Sequence, residues 1–192
     1  MDPLYPFVFF GLFSPGPNVI LLTASGARFG FRATLPHVAG VVLGVGITAG
    51  LTGLGIGAVL ATYPALALTL RIVAAAWILF MAVQLLRARP LAARKAGERP
   101  FTFVEAVLFQ WVNPKVWAVA MAAAAGYGSG LGAWIDAGRL AAAFSGLNLF
   151  VCLFWSFAGT LLALLLTTPA AWAVFRSVMA AALAASAVMV FL

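Results

Sequence analysis

The stretch Ser14-Pro15-Gly16-Pro17-Asn18 interrupts one apolar segment of this chain, and Asn113-Pro114-Lys115 interrupts another. Each interruption lies about eleven residues into its segment, which is roughly 16 Å at 1.5 Å per residue and near the middle of a hydrocarbon core about 30 Å thick. Lipid cannot hydrogen-bond to the backbone groups that a helix break frees, so such breaks persist where they line a cavity. The sequence therefore predicts two broken membrane helices with a cavity between them.

Composition indicates an integral membrane protein. Hydrophobic residues make up 65% of the 192 residues, charged residues 8%, and the mean hydropathy is +1.13. A soluble domain has about 25% charged residues. The net charge of +7 does not indicate nucleic-acid binding, because the basic residues lie in short segments between apolar runs, as residues that set membrane orientation do. Cys152 is the single cysteine and lies in an apolar run, so we expect no disulfide, metal site or cofactor.

The apolar runs predict an all-α protein with six transmembrane helices, of which the first and the fourth are broken at the midplane. The predicted spans are about 4–25, 38–61, 65–86, 103–126, 139–166 and 170–192. They form a single transmembrane domain, 1–192, with a first repeat at about 1–86, a basic cytoplasmic loop at about 87–102 and a second repeat at about 103–192. Arginine and lysine concentrate in the first, third and fifth loops, so we place these loops in the cytoplasm and both termini outside.

The two halves resemble each other around the breaks. Phe10 precedes Ser14-Pro15 by the same spacing that separates Phe109 from Asn113-Pro114. Each half has three spans, an odd number, so the second half enters the membrane from the opposite face. Inverted repeats with correspondingly placed helix breaks are typical of secondary transporters, and the breaks mark the substrate site.

Both breaks contain residues that begin helices. Ser14 and Asn113 are good N-caps, and Pro15 and Pro114 would then occupy the first helical position, where a missing N–H costs little. Pro17 would fall at the third position of its helix, among the N–H groups that lack an intrahelical partner. Helices that restart at the midplane direct free N–H groups and positive dipole ends into the cavity, which suits a carboxylate.

Lys115 lies in the first turn of the second restarted helix, where the helix dipole disfavours a cation and the bilayer centre adds a further cost of ~3 kcal/mol. No carboxylate of the chain lies at that depth. We therefore interpret the counter-ion as the substrate, or Lys115 as neutral when the site is empty. The alternative is that Lys115 snorkels or bonds to backbone carbonyls freed by the first break.

Two further residues of the first break have functional interpretations. Gly16 allows a ligand or another backbone to approach closely. Asn18 offers both a donor and an acceptor, which suits a zwitterionic amino acid, and its alternative is a hydrogen bond between helices. The predicted substrate-binding residues are Ser14, Pro15, Gly16, Pro17, Asn18, Asn113, Pro114 and Lys115.

Titratable groups in or near the spans are few. Glu105, His37 and Lys115 are the candidates for proton coupling, and the alternative for His37 is an interfacial position. Paired acid and base groups and clusters of metal ligands are absent from the sequence, so we do not expect an enzyme.

Small and amide residues within the spans predict helix contacts. Gly40-x3-Gly44 predicts close helix packing, either against a broken helix or against a second protomer in a homodimer. Gln84 and Asn148 either line the cavity or pair between helices.

These residues together resemble the LysE/RhtB family of amino-acid exporters. The resemblance rests on Pro15-Gly16-Pro17-Asn18, Gly30-Phe31-Arg32, Gly40-x3-Gly44 and Asn113-Pro114-Lys115, and it covers nearly the whole chain. It implies a six-helix, proton-driven exporter in the bacterial inner membrane that relieves the cytoplasm of excess amino acids or close derivatives. The family's motif positions fall on residues 15–18 and 113–115 of this chain.

The absence of a carboxylate near Lys115 restricts the choice of substrate. A cationic side chain would meet Lys115 with nothing to neutralise it, so we expect the substrate to be a neutral or small polar amino acid. As for any membrane protein, we expect lipid to surround the chain. Two other functions stay open here, namely export of another small solute or ion, and a membrane scaffold that transports nothing. An ion or metal exporter would need carboxylates, thiolates or histidines in its spans, and the spans of this chain are poor in them.

Overall fold

The computed structural model describes residues 2–56, 62–88, 98–188 and 191, and the regular structure of these residues is helical. The helices are α1 (Leu4–Phe13), α2 (Pro17–Phe29), α3 (Phe31–Gly53), α4 (Pro64–Leu86), α5 (Phe103–Phe109), α6 (Pro114–Gly126), α7 (Ala133–Ala163) and α8 (Pro169–Val188). A 3-10 turn, Gln110–Val112, lies between α5 and α6. The predicted all-α class is confirmed.

Four helices of the described residues are long and apolar enough to cross a membrane, namely α3, α7, α8 and the Leu68–Leu86 part of α4. Helices α1 and α2 pass the same test together as one span bent by 55°, which gives up to five candidate spans. The predicted fourth span, 103–126, is divided between α5, the 3-10 turn and α6, because Pro114 has no N–H with which to continue the preceding helix. The chain is a multi-pass membrane protein.

Two helices begin well before the predicted starts of their spans. Helix α3 begins at Phe31 and not at 38, and α7 begins at Ala133 and not at 139. Apolarity marks the part of a helix that suits the hydrocarbon core, whereas backbone hydrogen bonds continue beyond it. Parts of the predicted second span (57–61), basic loop (89–97) and sixth span (189, 190 and 192) lie outside the described residues.

The helices pack mainly across the two halves of the chain. Helix α3 lies along α7, and α4 lies along α8. The broken pair α1 and α2 packs against α7, whereas α5 and α6 pack against α3. Val8, Val41, Val45 and Phe144 are fully buried where these helices meet. Each broken helix is therefore held chiefly by the long helix of the other half.

Glycines allow the closest of these contacts. Gly26 of α2 faces the carbonyl oxygen of Ser156, and Gly159 of α7 faces that of Thr23, so a Cβ at either glycine would collide with backbone. Their positions let α2 and α7 approach backbone to backbone.

The predicted small-residue face of α3 meets the second broken helix. Gly40 faces the carbonyl oxygen of Phe103, and a Cβ at Gly44 would lie 2.6 Å from Cγ of Gln110. Of the two partners expected for this face, the structure places the broken helix against it.

One end of the bundle, here called the Asp2 end, is held by polar contacts between α1, α6 and α7. Arg139 pairs with the Asp2 carboxylate and donates to the carbonyl oxygen of Tyr127 at 2.6 Å. The hydrogen bond from Arg139 and a second one from the backbone N–H of Leu4 hold the pKa of Asp2 below its usual value of 3.8.

The opposite end, here called the Arg28 end, joins the C-terminal turns of α2 and α4 to their neighbours. Nη2 of Arg28 lies 2.6 Å from Oε2 of Glu98, and Nη1 of Arg176 donates to the carbonyl oxygen of Ala88 at 3.2 Å. The C-terminal end of α7 also lies at the Arg28 end, where Oγ1 of Thr160 donates to the carbonyl oxygen of Gly26 at 3.1 Å.

Candidate functional site

The first break occupies Ser14–Gly16. Helix α1 ends at Phe13, both Ser14 and Gly16 have extended backbone, and α2 begins at Pro17 with Gly16 as its N-cap. The prediction that Ser14 caps this helix, with Pro15 first and Pro17 third, is wrong. A residue that precedes a proline avoids the helical region, and both Ser14 and Gly16 precede one, so the helix cannot begin before Pro17.

The second break follows the prediction more closely. Asn113 is the N-cap residue of α6 and Pro114 is its first residue, which confirms both assignments. The Asn113 side chain makes no capping hydrogen bond, and its Nδ2 donates to Oε1 of Gln110 at 3.3 Å. Its Oδ1 is buried and has no hydrogen-bond partner among the described residues.

Lys115 joins the two breaks. Its Nζ donates to the carbonyl oxygen of Ser14 and lies 3.5 Å from that of Pro15. These contacts are the alternative given for Lys115 from the sequence, namely bonding to carbonyls of the first break. A Cβ at Gly16 would lie 2.6 Å from Cδ of Lys115, so glycine at this position makes room for the lysine stem.

Asn18 and Gln110 make a second link between the breaks. Nδ2 of Asn18 donates to Oε1 of Gln110 at 2.8 Å, and Nε2 of Gln110 donates to Oδ1 of Asn18 at 3.2 Å. Asn18 thus makes the hydrogen bond between helices that was its alternative role. Sequence reasoning missed Gln110, although its place three residues before Asn113, on one helix face, could have indicated it.

A small, largely enclosed cavity of about 10 Å³, here called the closed cavity, lies between the breaks. That volume is about the minimum that holds one water molecule. Its polar and small lining residues come from α2, α6, α7 and the breaks: Gly16, Asn18, Asn113, Lys115, Asn148 and Cys152. The structure therefore brings together residues of both predicted motifs, with α7 as a third wall.

A larger cavity of about 520 Å³ lies at the Arg28 end, between α2, α4 and residues 98–101. Leu21 and Ser25 line this cavity, whereas Asn18 and Leu22 of the same helix line the closed one. The two cavities therefore lie on different faces of α2, and the larger one extends towards its C-terminal end.

His37 lines the larger cavity, at the Arg28 end of the bundle. The ring is 2% exposed, its centroid lies 5.1 Å from that of Phe101, and neither ring nitrogen has a hydrogen-bond partner among the described residues. The ring is buried because α3 begins at Phe31, which places His37 in the second turn of the helix, beneath Phe101.

Glu105 lies apart from both breaks, at the start of α5. It accepts hydrogen bonds from Arg99 at 2.6 and 2.8 Å, and it completes a capping box with Thr102. Within the described ranges no group of three or more histidine, cysteine or acidic residues could hold a metal ion.

The chain matches no curated protein and no solved structure. The pattern that defines the LysE type translocators matches residues 9–192, essentially the whole chain, and this family consists of transporters and not of enzymes. The chain therefore belongs to the LysE type translocator family and is a membrane exporter of small solutes such as amino acids.

Proposed function

We propose that this protein is a secondary exporter of neutral or small polar amino acids across the bacterial inner membrane, and that the solute binds between the two helix breaks. One observation carries the proposal. Lys115 and the Asn18–Gln110 pair connect the two breaks around a closed cavity, so a solute bound there would contact both halves of the chain. A site that both halves share is what alternating access requires.

The packing supports an inverted repeat of two three-span halves. Exchanging α1, α2, α3 and α4 for α5, α6, α7 and α8 converts the contact of α2 with α7 into the contact of α6 with α3. The pairs α3 with α7 and α4 with α8 convert into themselves. In this arrangement the chain crosses the membrane six times, with α5 and α6 as the fourth span.

The proposed binding mode uses the ends of α2 and α6. The carboxylate of the amino acid accepts hydrogen bonds from N–H groups at both helix starts, and Lys115 leaves the Ser14 and Pro15 carbonyl oxygens to pair with it. Those carbonyl oxygens are then available to the ammonium group of the solute. Among the residues that the structure describes, no acidic side chain lines the closed cavity, which favours neutral over basic amino acids.

The proposed direction of transport follows from the charges. Arg28, Arg87 and Arg176 lie at or near the Arg28 end, so this end faces the cytoplasm under the positive-inside rule. The larger cavity, on another face of α2, then forms a cytoplasmic entrance to the site.

We also propose that protons drive export. Of the three candidates for coupling, Lys115 alone contacts both the closed cavity and the first break, whereas Glu105 is held by Arg99 and Thr102 and His37 lines the entrance. Export should therefore fall when a protonophore collapses the proton gradient.

Export from cells that overproduce the chain tests the proposal. Cells are loaded with a panel of labelled dipeptides, and the amino acids that appear outside are measured against cells that carry Lys115→Met, which keeps the stem and removes the charge. The matched control is Arg71→Met, which removes an exposed cation from α4.

We expect release of one or a few neutral amino acids by the wild type and by Arg71→Met, and its loss in Lys115→Met at equal membrane abundance. Normal export by Lys115→Met would show that the site is elsewhere. If the wild type releases no amino acid, the cargo is another small solute, or the protein is a scaffold.

A further inference from the structure

Two buried amide atoms in the closed cavity have no hydrogen-bond partner. Nδ2 of Asn148 and Oδ1 of Asn113 are unpaired within the described structure, and their residues are 2% and 1% exposed. Both residues line the cavity. A buried polar group without a partner is unfavourable in a folded protein, so each of these atoms needs a water molecule, an ion or a ligand as its partner.

The two atoms have opposite hydrogen-bonding character. Nδ2 of an asparagine can only donate, and Oδ1 can only accept. An α-amino acid offers the matching pair, a carboxylate that accepts and an ammonium group that donates. The other polar side chains of the cavity already have partners, because Lys115 bonds to Ser14 and Asn18 bonds to Gln110.

Helix α7 supplies a wall that the two sequence motifs do not contain. Asn148 and Cys152 lie four residues apart on one face of α7, and both line the cavity together with Val151. Asn148 lies in the middle of a continuous helix, so its position does not depend on which partners the residues at the breaks take.

We infer that Asn148 is a further substrate-binding residue of this exporter, donating through Nδ2 to the solute carboxylate while Oδ1 of Asn113 accepts from the solute ammonium group. This inference rests on the proposed function, since it needs an amino acid in the cavity. The cavity of about 10 Å³ is too small for one, so binding requires α2, α6 and α7 to separate first.

Proteoliposomes that contain the full chain test the inference. Transport of radiolabelled glycine, alanine, serine, threonine and valine is measured, each in competition with its own carboxamide, in which the carboxylate is replaced by a neutral amide. The variants are Asn148→Leu, which keeps the size and removes the donor, and Ser156→Ala as the matched control. Ser156 is buried on the same helix with an unpaired hydroxyl but does not line the cavity.

For Asn148→Leu we expect the KM of the transported amino acid to rise about tenfold or more, as the loss of one hydrogen bond to a charged group implies. The carboxamide should lose less, because hydrogen bonds to neutral acceptors are weaker, so the preference for the free acid should shrink. Ser156→Ala should transport like the wild type.

Three results would contradict the inference. Unchanged kinetics in Asn148→Leu, or equal losses for acid and carboxamide, would give Asn148 no role or only a structural one, while the proposed function stood. Failure of the wild type to transport any amino acid of the panel would instead remove the proposed function and the inference together.

Discussion

Asn18 and Gln110 lie 92 positions apart in the chain and exchange two amide hydrogen bonds, at 2.8 and 3.2 Å. Each amide donates one hydrogen bond to the other and accepts one from it, so the two side chains form a reciprocal pair. Nε2 of Gln110 also donates to the carbonyl oxygen of Ala106 at 2.9 Å. The link therefore extends from the start of α2 into the last turn before the second break, and any separation of the two breaks must first open it.

Breaking this pair should destabilise the protein. Asn18→Leu leaves the fully buried Gln110 amide without one partner, which we expect to cost about 1–3 kcal/mol in the free energy of unfolding. Gln110→Leu should cost more, because Asn113 and the Ala106 carbonyl also lose a partner. The double variant should cost less than the sum of the two.

Unfolding of the purified protein in detergent measures these costs. Thr69→Ala removes an exposed hydroxyl–carbonyl hydrogen bond on α4 and should be nearly neutral. Strict additivity of the Asn18 and Gln110 substitutions would mean that the pair contributes no coupling energy.

The crossing of α2 and α7 should tolerate no side chain at Gly159. Gly159→Ala places a Cβ against the carbonyl oxygen of Thr23, which is backbone and cannot rotate away, and overpacking of this kind costs about 1–3 kcal/mol. The matched control is Gly146→Ala on the same helix, whose Cβ meets nothing within 4 Å. That substitution should be neutral or stabilising by up to about 1 kcal/mol. Equal melting temperatures for the two variants would refute this view of the crossing.

Cys152 reports on the closed cavity. It is the single cysteine of the chain, is 1% exposed and lines the cavity, so N-ethylmaleimide should label the native protein far more slowly than the protein unfolded in SDS. Labelling should accelerate when solute and a proton gradient make the carrier cycle.

A second thiol position calibrates that measurement. Leu131 is 70% exposed, so Leu131→Cys in a Cys152→Ser background should react rapidly in the native protein. Native labelling of Cys152 at the rate of this exposed thiol would show that the cavity is open at rest.

Acid should weaken the Asp2 end. Because Arg139 lowers the pKa of Asp2 in the folded protein, the pair stabilises the fold fully above the unfolded pKa of about 3.8, and this contribution is lost as pH falls through the lower folded pKa. We expect Asp2→Asn to have a slightly lower Tm than the wild type at pH 7. The difference should shrink as the pH is lowered below about 3.8, and a difference that grew on acidification would contradict the assignment.

The sequence predicts the two breaks well because proline acts locally. The missing N–H and the fixed φ of proline interrupt a helix wherever they occur, and this places both breaks without knowledge of the fold. The prediction of the exact start of α2 failed because two prolines in one stretch, Pro15 and Pro17, could each be the first residue of the helix. The steric effect of Pro17 on Gly16 removes the start that Ser14 would otherwise provide.

The partners of the polar residues were less predictable, because they come from distant segments. Gln110 lies 92 positions from Asn18, and no local pattern indicates that two amides will meet across the two halves. The burial of His37 likewise depends on Phe101, which a different part of the chain brings over it. Sequence reasoning could propose both roles for Lys115 but could not decide that the carbonyls of the first break would be its partners.

The exchange of packing partners between the halves has a consequence for how the protein is made. Helix α2 is complete at Phe29, but the helix that it packs against backbone to backbone, α7, does not begin until Ala133. During synthesis the first broken helix is therefore made long before its main packing partner. Until α7 follows, water or other proteins must hydrogen-bond to its exposed backbone. We therefore expect neither half to fold alone, and two halves produced as separate chains to accumulate only when they are produced together.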